Sequence, residues 1–140
     1  MKIILLLTVF LFSFLTGDNI LGLNGKWKLV KFHNLKQGTF EIQPTDPDYP
    51  RPIIIQLTDN GKEGKMGGQT STNSIYADYE LYGVNKMTTL SFGDTRVVNS
   101  KWSDRFESSF RSASSYERQA DKLFIYYNSD NEKMEFDKQD

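Results

Sequence analysis

Apolar and polar residues alternate through much of this chain, most plainly where Ile75, Ala77, Tyr79 and Leu81 share one face and Tyr76, Asp78, Glu80 and Tyr82 the other. A period of two sends successive side chains to opposite sides of a half-buried strand. Leu90 and Phe92 repeat the pattern, so the stretch from Gly61 to Phe92 reads as a meander of strands joined by short turns. Upstream, an Asn24-Gly25 turn opens a first strand with Trp27 and Leu29 on one face. Ile53, Ile55 and Leu57 then form the inward face of a β-branched strand that ends in a second Asn-Gly pair, Asn60-Gly61. Near the end, Tyr116 begins a return strand, and Leu123, Ile125, Met134 and Phe136 point inward from a closing hairpin turned at Ser129-Asp130-Asn131.

Between the meander and that hairpin the period changes. Trp102, Phe106, Phe110 and Ala113 recur at helical spacing, and Asp104 with Glu107 matches a capping box. These residues predict one amphipathic helix from Ser103 or Asp104 to about Ser114, its aromatic stripe plugging the concave face of the sheet. The segment 34–52 contains all four prolines, Pro44, Pro47, Pro50 and Pro52, which withhold amides from a sheet. It is expected to be mostly loop, with a short strand at Phe40 and Ile42, and to be a place for protein-specific contact. The fold class is therefore α+β and mostly β: a small antiparallel barrel-like sheet with one helix packed on or plugging it.

A length of 140 residues fits one domain, and 38% apolar with 25% charged residues fits an ordered one. One lysine followed by the apolar run Ile3 to Leu15 has the layout of a signal peptide over residues 1–17, short for a membrane span, with an uncleaved anchor as the alternative. The expected organisation is a leader, then a single domain at 18–140 with its core at about 25–138 and the proline-rich loop inside it. That predicts a monomer exported to the periplasm or secreted, without a transmembrane span once the leader is removed. A formal net charge of −1 argues against nucleic acid as a partner. With no cysteine, disulfides and thiolate metal sites are excluded.

Little chemistry assembles along the chain. His33 is the only histidine, with no cysteine or second histidine to complete a metal site. Asp46 and Asp48 have the spacing that starts a calcium loop, but prolines flank them and the downstream Gly and Glu are missing. Gly61, Gly64, Gly67 and Gly68 lead into a strand, whereas a phosphate-binding loop leads into a helix, so bulges or tight bends account for them. Neither a catalytic set, a metal site nor a cofactor is expected.

Three motifs resemble those of the META domain family, with its HslJ-like envelope proteins. The first is Gly68, Asn73, Ile75, Ala77 and Tyr79; the second is Thr95-Arg96-Val97-Val98-Asn99; the third is a helix with Glu107 and Phe110, followed by Leu123, Ile125 and Phe136. The resemblance covers Gly25 to Lys138 and implies a small antiparallel sheet with one helix and an envelope or stress-linked role without an established catalytic residue. It implies structural roles for Gly68, Asn73, Tyr79, Thr95, Glu107 and Phe110. Thr72 and Asn99 stand where family members often carry cysteines, which implies that the two are neighbours. The leading expectation is a non-enzymatic secreted or envelope-associated domain, a binding or envelope-stress-related module whose partner would be a macromolecule of the cell envelope. The alternatives are a lipocalin-like carrier of a small apolar ligand and, far behind, a hydrolase using Asp104 and Glu107.

Overall fold

The computed structural model describes residues 22–140; the leader read at residues 1–17 lies outside them. Among the described residues nine strands and one helix follow in order. The strands are β1 (Gly25–Asn34), β2 (Thr39–Ile42), β3 (Ile54–Asp59), β4 (Glu63–Gln69), β5 (Ser74–Tyr82), β6 (Lys86–Asp94), β7 (Ser115–Arg118), β8 (Lys122–Tyr127) and β9 (Glu132–Gln139), and the helix α1 (Lys101–Arg111) joins β6 to β7. The strands form one antiparallel sheet in the order β2-β1-β3-β4-β5-β6-β7-β8-β9, and β1 also pairs with β9, so the sheet closes in a ring. β2 is an arm on the second half of β1, whose first half pairs with β3.

The ring is narrowest between β6 and β7, where Lys86 and Ser115 form the recorded pair. Helix α1 packs beside this seam: the Thr89 hydroxyl donates to the Phe110 carbonyl at 2.6 Å, and Phe92 lies 5.9 Å from Phe110 between ring centres. The stripe anticipated from helical spacing is buried, with Trp102 near the surface of the core and Phe106 and Phe110 fully inside. Phe106 meets Phe136 of β9 edge-on at 6.4 Å, and Trp102 meets Phe32 of β1 at 4.7 Å. In the strands Trp27, Leu29, Ile53, Ile55, Leu57, Leu123, Ile125, Met134 and Phe136 are buried as expected. The interior is thus filled by interlocking side chains rather than left as a calyx.

Two expectations need correction. Leu90 does not continue the inward pattern and is 56% exposed, because Asp78 pairs with Ser91 while Tyr79 pairs with Thr89. Leu90 is the extra residue of a β-bulge, which offsets the alternation on β6. The helix starts earlier and ends sooner than Ser103–Ser114, and Asp104 with Glu107 is not its capping box. Ser100 caps it, accepting from the Ser103 amide at 3.1 Å, which leaves Asp104 exposed in the first turn and Glu107 buried one turn on. At the other end the amides of Ser112 and Ala113 reach back three residues to Ser109 and Phe110, a tightened last turn that stops the helix.

Candidate functional site

Four residues, Thr70 to Asn73, connect β4 to β5, and their side chains turn inward instead of toward water. The Thr70 amide donates to the Asn73 carbonyl at 2.9 Å, and the Asn73 amide returns a bond to the Thr70 hydroxyl at 3.1 Å. The side-chain amide of Asn73, fully buried, then grips the segment between β6 and α1. Its Nδ2 donates to Val97 O at 2.7 Å and Asn99 Oδ1 at 2.9 Å; its Oδ1 accepts from Val97 N and Thr95 Oγ1, both at 2.7 Å. All four hydrogen-bonding positions of that amide are used. Of the motif residues, the structure therefore brings Asn73, Thr95 and Glu107 into one network, with Asn99 as the link.

Asn99 Oδ1 also accepts from Thr70 Oγ1 at 3.0 Å and Thr72 Oγ1 at 3.2 Å, so Thr72 and Asn99 are in contact, as the family positions imply. Its Nδ2 donates to the Glu107 carboxyl. The first turn of α1 is attached to the same knot, since Ser71 N donates to Ser103 Oγ at 3.1 Å and the two hydroxyls lie 2.7 Å apart. Burial pushes the Glu107 carboxyl up to about 7, helped by its hydrogen bond to Asp94 and opposed by Asn99 and Arg111. Asp94 moves the other way, held below the usual carboxylate range first by its bond with Glu107 and then by the Arg96 amide. One proton shared by two carboxyls explains the opposite directions.

The remaining predicted residues lie apart from this network. Tyr79 is buried between β4 and β6, with its hydroxyl donating to Asp59 Oδ2 at 2.7 Å and its ring lying against Gly64; desolvation raises its pKa. Gly68 sits where a Cβ would fall 2.3 Å from the Ile54 carbonyl oxygen, so two backbones approach too closely for a side chain. Phe110 belongs to the core. His33 is bonded to Glu135 at 2.9 Å on the outside of the sheet, and Asp46 uses Oδ1 to accept the Asp48 amide at 3.0 Å, closing its own turn. Asp104 and Glu107, the carboxylates a hydrolase would need together, differ in burial, one exposed and one inside.

Alternation identifies outward residues but does not group them, and the grouping produces a groove. The ladder pairs Lys26 with Gln56, Gln56 with Gly67 and Gly67 with Tyr76 across the outer face of β1, β3, β4 and β5. An open groove of about 600 Å³ lies there, lined among others by Lys26, Arg51, Gln56, Lys65, Gly67 and Gln69, and by no carboxylate. Arg51, which sequence reasoning passed over, is fixed at its rim: Nε donates to Thr70 O at 2.8 Å and Nη2 to Asn73 O at 3.0 Å. Lys65 is paired with Asp78 at 3.1 Å just outside the lining.

Comparison with known proteins agrees with this architecture. A crystal structure of a DUF4847 family protein from Bacteroides vulgatus ATCC 8482 is similar in fold, with a TM-score of 0.60 at 15% identity over 84% of this chain and 95% of that one. Among curated proteins no relative matches. The family model of the META domain matches residues 19–140, which is nearly all of the chain, and with the motif residues placed as above the chain belongs to the META domain family.

Proposed function

We propose that this META domain is a non-enzymatic binding module, exported to the periplasm or secreted, whose partner is a macromolecule of the cell envelope. The observation that carries the reading is the division of its polar residues. Those that could do chemistry, Asn73, Thr95, Asn99 and Glu107, are bonded to one another, while polar side chains that face water converge in the open groove beside Arg51. Saturated, buried polar groups rigidify a fold; exposed and unsaturated ones recognise. The filled interior weighs against a lipocalin-like carrier, because Phe106, Phe110 and Phe136 occupy the space where its cargo would sit. Among the described residues no helix is long and apolar enough to cross a membrane.

Two measurements on a C-terminally tagged full chain test this. Fractionation with N-terminal sequencing should recover it outside the cytoplasm and processed near Gly17; an unprocessed cytoplasmic product would overturn the location. Co-sedimentation with washed envelope polymer should retain the protein and release no fragments. Fragments detected by mass spectrometry of the supernatant would overturn the non-enzymatic assignment.

A further inference from the structure

We infer that the groove on the outer face of β1, β3 and β4 is a binding site for an acidic carbohydrate, a sugar oligomer bearing carboxylate or phosphate groups. The inference deepens the reading of the chain as a binding module and rests on it. Charge is the first argument. On a chain whose formal net charge is −1, the groove lining holds Lys26, Arg51 and Lys65 and no carboxylate, and although Lys65 is paired with Asp78, Lys26 and Arg51 form no ion pair among the described residues. Arg51 is pre-organised: two backbone carbonyls hold Nε and Nη2, leaving three N–H donors on a guanidinium that lines the groove and needs no further side-chain ordering.

Shape is the second argument. Lys26, Gln56, Gly67 and Tyr76 are consecutive rungs of one ladder, so the row spans three strand spacings, about 14 Å, which suits an oligomer better than a single inorganic anion. Gly67 interrupts this row of side chains, and a Cβ there would meet nothing within 4 Å, which makes a slot. The Tyr76 ring, 63% exposed, leans away from the slot and lies across Gly93 on the next strand. The Gln56 amide, opposite Gly67 on β3, supplies a donor and an acceptor for hydroxyls, and Gln69 is braced by its bond to Pro52 O at 3.0 Å.

Calorimetric titration of the full chain tests this with four probes: an oligogalacturonate trimer, a phosphorylated trisaccharide, a neutral trisaccharide and inorganic phosphate. Saturable binding of one or both acidic oligomers, at least tenfold tighter than the neutral oligomer and than phosphate, is expected, and the first two probes tell carboxylate from phosphate recognition. Gly67→Leu fills the slot from a position where an added Cβ meets nothing within 4 Å, and Lys26→Ala removes a cation; each should weaken that binding tenfold or more while the circular dichroism spectrum stays unchanged. No saturation with either acidic oligomer, equal binding of the neutral one or of inorganic phosphate, or indifference to both substitutions would overturn the assignment. Because the titration is independent of cellular location and of turnover, its failure is distinguishable from failure of the export or the non-enzymatic reading.

Discussion

Glu107 makes the stability of this domain depend on pH in the opposite direction from an ordinary surface carboxylate. Its carboxyl is buried in α1, accepts from Asn99 Nδ2 and shares a hydrogen bond with Asp94, while Arg111 on the same helix and Arg96 beyond β6 face the pair. Folded, it titrates at about 7, against 4.5 for the free side chain. Between those values the folded state holds a proton that the unfolded state has released, so stability is fully present below the lower value and is lost as pH rises through the upper one. At about 1.4 kcal/mol per unit, the shift corresponds to a loss of about 3 kcal/mol, and partial solvation of the pair brings the expected figure to about 1–3 kcal/mol. Asp94 contributes with the reverse sign, its stabilisation disappearing only as pH falls through its lowered value.

Glu107→Gln isolates the effect, since the amide reproduces the protonated carboxyl: its carbonyl accepts from Asn99 and its nitrogen donates to Asp94. Urea denaturation across a pH series is the assay, with stabilities from linear extrapolation. At about pH 5 the variant should match the natural chain to within about 1 kcal/mol, and at about pH 8 it should be more stable by about 1–3 kcal/mol. Parallel pH profiles for the two proteins, or a variant less stable at the higher pH, would refute the shared-proton argument.

Four other variants test the packing. Phe110→Ala empties a fully buried ring site beside Phe92 and Phe106 and should cost about 3–5 kcal/mol in chemical denaturation. Gly68→Ala puts a methyl 2.3 Å from the Ile54 oxygen and should destabilise by about 2–3 kcal/mol, whereas Gly67→Ala, one residue away, should stay within about 0.5 kcal/mol. Thr72→Cys with Asn99→Cys should crosslink on oxidation, because the natural side chains are 3.2 Å apart; a non-reducing gel without an intramolecular band would mean that their Cβ directions diverge.

What the sequence disclosed was what is local. A strand with one face in the core repeats every two residues, so Ile75, Ala77, Tyr79 and Leu81 declare their own burial, and three aromatics at helical spacing declare the face of α1. Leu90 misled because a bulge is a property of two strands: nothing within β6 alone says that Tyr79 will pair with Thr89 after Asp78 has paired with Ser91. Glu107 misled for a similar reason. Its spacing from Asp104 fits a capping box, but Ser100 takes the cap, and the partners that decide Glu107's role, Asn99 and Asp94, lie outside the helix. Asn73, Thr95 and Glu107 were singled out by family resemblance, which recorded their importance without the geometry that joins them.

That geometry also links the buried network to the outer face. The Asn73 amide locks the segment before α1, and the turn it belongs to offers two carbonyls, Thr70 O and Asn73 O, outward to Arg51. With both carbonyls fixed from inside, the guanidinium cannot wander as a surface arginine normally does, and its remaining N–H donors keep their directions at the edge of the groove. A residue in the interior thereby sets the orientation of a charge outside, through bonds between neighbouring groups and without any movement of the sheet. On this view the motif residues serve recognition indirectly: they hold the β4–β5 turn in the single arrangement from which Arg51 can act.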